Sequence, residues 1–276
     1  TNAPSGEIAI EFTLKGPNIG FSNGACSGNY SIIHAFNTIQ RHDVEAMVAG
    51  GTEAPLCPRV FEELRHKGLF YSNNPGLTRA SCPFDIDRNG FVLSEGAGVL
   101  VLETLSSAEK RGAEIYGELA GFGASYCNRS EVNQKTPGFY SKVFCIEQAL
   151  EAASIEASDV DYISASGISG IREDIEEAEV IKSVFGENIH KIPVSSTKGS
   201  LGFSVGASGP IDAIFSLLAL KNKVLPQTNN LENIDPECSS LLVLKKPDFK
   251  PVNMILSNNF DYAGNNVSIL FKRFCS

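Results

Sequence analysis

The sequence predicts an α/β protein built in two halves. Three observations carry this. Apolar segments of strand length alternate with segments of helical period along most of the 276 residues. The composition, 42% hydrophobic and 20% charged, supplies a sizeable core. Glycine and serine gather in short stretches after predicted strands and form no low-complexity linker.

The elements follow in order. Residues 7–14 (EIAIEFTL) alternate enough for a strand. Residues 26–40 (CSGNYSIIHAFNTIQ) read as a helix with Ile32, Ile33, Phe36 and Ile39 on its buried side. Residues 44–49 (VEAMVA) form a short strand ending in GGTE. Residues 97–103 (AGVLVLE) are nearly continuously apolar, as in a strand buried on both faces, and a short helix runs from there to about Gly112. Then come strand 115–122, helix 141–153, strand 160–165, helix 172–185, strand 192–196, helix 206–221 and strands 253–259 and 266–272. This alternation implies a mainly parallel sheet covered by helices, in halves 1–115 and 116–276.

The bulk numbers exclude several functions. A formal net charge of −9 argues against nucleic acid or an anionic membrane as partner, because both need a basic surface. No run is long and apolar enough for a membrane span, and the opening TNAPSGEIAI is not a signal peptide. The seven cysteines (Cys26, Cys57, Cys82, Cys127, Cys145, Cys238 and Cys275) are odd in number, with no pair at C-x-x-C spacing. That disfavours a zinc site and a disulfide framework, predicts no bound metal, and suits the reducing cytoplasm.

Chemistry concentrates at Cys26. Gly24 and Ala25 precede it and Ser27 and Gly28 follow, so a sharp turn into a helix and close approach of a substrate are both permitted. A thiol at a helix N-terminus feels the positive end of the dipole, which favours thiolate, and free N–H groups there can bind an oxyanion. The alternative is a buried structural cysteine. No histidine is placed to act as its base. His34 lies eight residues along the same helix, which is about 80° around the axis and about 12 Å along it. His42 ends the helix, and His66 and His190 sit in charged stretches. Three Gly/Ser-rich segments, 164–170 (SASGISG), 195–209 (SSTKGSLGFSVGASG) and 257–266 (SNNFDYAGNN), make a shared site with Cys26 plausible, since ligands bind at strand C-termini in α/β sheets.

Together these segments resemble the β-ketoacyl synthases of the thiolase superfamily, over nearly the whole chain. GPNIGFSNGACSGNYSIIHAF resembles the family's nucleophile segment, with Cys26 as nucleophile. MVAGGTEA, CPFDIDRNGFVLSEGAGVLVLE, SSTKGSLGFSVGASG, LPQTNNLENIDPEC and SNNFDYAGNNVSILFKR follow in the family's order. The resemblance implies a thiolase-like αβαβα layered fold, here lacking the N-terminal part of the first half. That part is expected as a separate chain. Against the family's N-A-H-G-T motif this chain has SASGI, putting Ser166 at one histidine position. Against K-x-x-x-G-H it has KGSLGF, putting Phe203 at the other and keeping Lys198. Asp174 and Glu177 are kept, and the G-F-G-G gate is DYAG, with Tyr262 as the gating aromatic and Gly264 retained.

In the family, two imidazoles donate hydrogen bonds to the enolate oxyanion of decarboxylative condensation. A serine hydroxyl donates one bond and a phenyl ring none. The resemblance therefore implies a chain length factor: a non-condensing subunit that pairs with an active ketosynthase, meets its acyl carrier protein and shapes a polyketide tunnel. A glutamine at the nucleophile position is usual in such subunits, so Cys26 is atypical. Tyr30, Ile33 and His34, with residues 53–72, are the tunnel or interface candidates. No cofactor of its own is implied, because phosphopantetheine comes on the carrier protein. The alternative is a degenerate β-ketoacyl synthase that loads or transfers acyl groups through Cys26.

Overall fold

The computed structural model describes residues 3–66, 79–127 and 138–275, so residues 67–72 of the tunnel candidates lie outside it. The described elements are, in order, α1 (Ala3–Glu11), α2 (Ser27–Gln40), β1 (Ala46–Glu53), α3 (Pro58–His66), β2 (Gly96–Glu103), α4 (Leu105–Lys110), β3 (Glu118–Tyr126), α5 (Phe139–Ala153), β4 (Tyr162–Ser164), α6 (Ile171–Phe185), β5 (Pro193–Ser195), α7 (Lys198–Leu201), α8 (Ser208–Asn222), β6 (Leu242–Val243), β7 (Met254–Phe260) and β8 (Asn265–Lys272). Short 3₁₀ turns at Gly24–Cys26 and Val205–Ala207 lead into α2 and towards α8.

Six strands form one mixed sheet in the order β3-β8-β7-β4-β5-β6. β4 runs parallel to β5 and β7, and β5 parallel to β6, while β8 is antiparallel to both β3 and β7. The expected mainly parallel sheet is thus only half right. A tight hairpin joins β7 to β8, which forces the antiparallel pairing that a helical crossover would have avoided.

The pleat of this sheet divides the core. Ile163, Leu256 and Leu270 face α5 and α6 with Ile146, Ala149, Ala178 and Ile181. Tyr162, Ile255, Ile269 and Phe271 face the other way, against Ile32, Ile33 and Ala35 of α2 and Ala213, Ala219 and Leu220 of α8. Helices α2 and α8 are in turn covered by the antiparallel pair β1–β2, through Ala49, Met47, Leu100 and Leu102. The order across the molecule is helices, six-stranded sheet, helices, two-stranded sheet.

Three local expectations are corrected. Residues 7–14 form no strand: most of the segment belongs to α1, which buries no residue, and Ile10 and Phe12 are exposed. A helix satisfies its own backbone hydrogen bonds, whereas a strand with no neighbour leaves them open. Residues 97–103 are not buried on both faces, because Val99 and Val101 of β2 are 49% and 62% exposed while Gly98 is buried against α8. On α2 the inner face is Ile32, Ile33, Ala35 and Thr38, with Phe36 and Ile39 only half-buried. No described helix is long and apolar enough to cross a membrane.

Candidate active site

The parallel course of β4, β5 and β7 puts their C-terminal ends at one edge of the large sheet. The three Gly/Ser-rich segments lie at these ends: 164–170 and 195–209 lead out of β4 and β5, and 257–266 spans the end of β7, its turn and the start of β8. The Gly24–Cys26 turn packs on this edge against β7, β8 and the Val205–Ala207 turn. Two glycines permit the approach. Gly24 has φ +61°, and a Cβ on it would lie 2.3 Å from Asp261 Oδ2. A Cβ on Gly28 would lie 2.3 Å from the Pro210 ring, so α2 and α8 meet at their first turns only because it is absent.

Cys26 is fully buried at the entry to α2. Its Sγ donates towards the carbonyl oxygens of Asn259 (3.3 Å) and Asn265 (3.4 Å), on the two stems of the β7–β8 hairpin. Burial first, then the Asp261 carboxyl and Cys145, push the thiol well above its ordinary pKa. The expectation that the helix dipole favours thiolate is therefore corrected. A dipole contributes about 0.3–1 kcal/mol, and full desolvation of a charge outweighs it. Two N–H groups at the turn and just before it are engaged. Ala25 N donates to Asp261 Oδ2 at 3.3 Å, and Asn23 N to Ser27 Oγ at 2.8 Å.

Ser166, just past β4, is buried. Its Oγ accepts from Phe260 N at 3.1 Å and donates to Phe260 O at 3.4 Å, so the hydroxyl is tied to the end of β7 and is not a spare oxyanion donor. Phe203 is fully buried in a cluster with Ala25, Phe91, Leu93 and Ile168, its ring 5.0 Å from that of Phe91. Tyr262 of the hairpin tip stacks on Phe91 as well, at 6.3 Å. Gly264 has φ +107°, and a Cβ there would lie 2.5 Å from Cys127 O.

Glu177 supports the site from behind. Its carboxylate accepts Ser166 N at 2.9 Å and Gly167 N at 2.7 Å, and burial raises its pKa against those bonds. Asp174 accepts Phe84 N at 2.9 Å and stands 3.7 Å from Arg88 Nε, and burial pushes it up to about 7 although the guanidinium opposes this. Lys198 is not directed at Cys26 or Ser166. It forms a buried ion pair with Asp212 of α8, whose Oδ1 also accepts Thr197 Oγ1 at 2.6 Å.

The remaining candidates scatter. Tyr30 lies near Cys26, and burial and the Cys26 thiol raise its phenol. Ile33 is core on α2. His34 packs on Phe21 at 5.5 Å and has Nε2 3.4 Å from Thr38 Oγ1. His42, His66 and His190 are exposed, so among the described residues no imidazole reaches this edge. All seven cysteines are free thiols, and no described cluster of three or more His, Cys, Asp or Glu side chains could hold a metal.

Sequence reasoning did not assign roles to Asp212, Asp261 or Asn259. Asp212 had a signal: it is the one acid in the mostly apolar run SGPIDAIFSLLALKN, and a buried carboxylate there calls for a cation.

Comparison with known proteins supplies the rest. Models of the β-ketoacyl synthase N-terminal and C-terminal domains match residues 1–108 and 116–232. The 3-oxoacyl-(acyl-carrier-protein) synthase 2 of Rhizobium meliloti is 37% identical over 276 residues, covering 99% of this chain and 65% of that protein. The synthase of the same name from Synechocystis is 37% identical over 273 residues, again 99% and 65%. The chain thus spans about 65% of the length of these relatives. Among solved structures, a type II polyketide ketosynthase in complex with its acyl-carrier protein superposes with a TM-score of 0.93 at 30% identity, covering 99% of this chain and 67% of that one. The ishigamide ketosynthase/chain length factor gives 0.86 at 31%, covering 98% and 64%. The layered thiolase-like ketosynthase fold expected from the motifs is the fold these proteins share. The expected chain length factor role is overturned: the sequence relatives that match almost the full chain are 3-oxoacyl synthases.

Proposed function

The chain belongs to the β-ketoacyl synthase family, and we propose that its reaction begins by acyl transfer onto Cys26 from a thioester carried by an acyl carrier protein. The observation that carries this reading is the position of Cys26: it opens α2 at the sheet edge where the β4, β5 and β7 loops converge. The names of the relatives and the carrier-bound structural neighbour support the donor class.

The step balances as thiol–thioester exchange. Sγ of Cys26 bonds to the thioester carbonyl carbon, the carbon–sulfur bond to the carrier breaks, and the Cys26 proton leaves on the carrier thiol. Donor and acceptor are both alkyl thiols, so the exchange needs little driving force. The raised thiol pKa limits the thiolate fraction but strengthens the thiolate once formed. The carbonyls of Asn259 and Asn265 hold the thiol hydrogen until then. Any later condensation proceeds without imidazole donors at Ser166 and Phe203, and a single missing oxyanion donor costs roughly 10²–10³ in rate.

Transfer is tested by release of free carrier thiol. Mixing the protein with an acyl-carrier thioester should give a burst of one equivalent per chain, absent in Cys26→Ala. An equal burst from the variant contradicts the proposal.

A further inference from the structure

The tip of the β7–β8 hairpin lies against the nucleophile turn, and Asp261 is one of two side chains that join them, the other being Asn259, whose Nδ2 donates to Ala25 O at 2.9 Å. The tip is also held by Cys127 N, which donates to Gly264 O at 2.8 Å. Asp261 is buried and bonds in both directions: Oδ2 accepts Ala25 N of the nucleophile turn at 3.3 Å, and Oδ1 accepts Ala263 N of its own hairpin at 3.0 Å. The hairpin closes on itself through Asp261 N to Asn265 O (2.8 Å) and Gly264 N to Asp261 O (3.0 Å). The two carbonyls that receive the Cys26 thiol flank this tip. The tip also carries Tyr262, stacked on Phe91, whose ring also meets that of Phe203.

We propose that Asp261 is a positioning residue for Cys26: its carboxyl group clamps the nucleophile turn to the hairpin in a masked state, and acyl transfer requires this clamp to release. A thioester cannot reach a fully buried Sγ unless the hairpin withdraws, and withdrawal breaks the Asp261–Ala25 bond. That release frees the Ala25 N–H, one residue before the nucleophile, and moves a carboxyl group away from a thiol that must lose its proton. Where the G-F-G-G pattern has its first glycine this chain has Asp261, and a glycine has no side chain with which to clamp. The titratable groups facing the thiol are Asp261 from the hairpin, Cys145 from α5 and Tyr30 from α2, and Asp261 is the one carboxyl among them. The inference rests on the acyl-acceptor reading of Cys26.

The test is alkylation by iodoacetamide, mapped by peptide mass and followed across pH, in the wild-type chain, Asp261→Asn and Asp261→Gly. Exposed Cys57 and Cys275 serve as references, and buried Cys145 and Cys238 report general loosening. The clamp predicts faster reaction at Cys26 in both variants, roughly threefold or more, with the midpoint of the pH profile lowered in the isosteric Asp261→Asn. Cys145 and Cys238 should stay unreactive. An unchanged rate and midpoint in Asp261→Asn overturns the proposal, and so does parallel labelling of Cys145 and Cys238. If Asp261→Gly fails to fold, Asp261→Asn decides alone. The burst assay separates the two claims: faster alkylation with no acyl transfer leaves the clamp standing and removes the acyl reading. Normal acyl transfer with unchanged alkylation does the reverse.

Discussion

The Ser166 hydroxyl is hydrogen-bonded to both backbone groups of Phe260, accepting from its N–H at 3.1 Å and donating to its carbonyl at 3.4 Å. The side chain at the first family-histidine position therefore closes the end of β7 onto the β4 loop. At the second position, Phe203 fills its space with a ring. Restoring both imidazoles in Ser166→His, Phe203→His should raise malonyl-thioester decarboxylation by on the order of 10² over the wild-type chain. A decarboxylation assay checks this. No gain in a folded double variant would show that the missing donors are not what limits the site.

Lys198 and Asp212 are both buried, at 2% and 1% side-chain exposure. Lys198→Met leaves the Asp212 carboxylate without its cation and should cost about 3–5 kcal/mol in denaturant unfolding. Lys198→Met, Asp212→Leu should recover most of that loss, because a buried ion pair replaced by apolar groups is near neutral. Equal losses in the single and double variants would mean that the two charges are not coupled.

Asp174 gives a pH prediction. Its pKa is raised to about 7 in the folded chain, from 3.8. The folded state then holds a proton that the unfolded state has released, so stability from this group is full below the unfolded pKa. It is lost as pH rises from about 4 through 7. Asp174→Asn removes the titration. Its melting temperature relative to wild type should therefore improve from about pH 4 to about pH 7 and level off above that. A difference that is constant across that range would place the titration of Asp174 elsewhere.

Much of this was legible in the sequence where local chemistry decides it. The loops after β4, β5 and β7 declare themselves by glycine and serine following apolar runs, and the small residues around Cys26 announce the turn. What depends on distant partners was not legible. Residues 7–14 alternate like a strand, yet alternation does not say whether a neighbouring strand exists, and a helix forms. β6 is two residues long and carries no periodic signal. The dipole at Cys26 is local, whereas the burial that outweighs it comes from distant partners, among them a hairpin more than 230 positions away in sequence. Asp261 stands at the first position of DYAG, but its bond to Ala25 spans 236 positions and only the fold brings it there.

The most direct test of the account is the mass of the chain after incubation with an acyl-carrier thioester. It predicts a single added acyl group, mapped to the peptide that contains Cys26 and absent from Cys26→Ser. No adduct, or an adduct on exposed Cys57 or Cys275 that persists in Cys26→Ser, would contradict it.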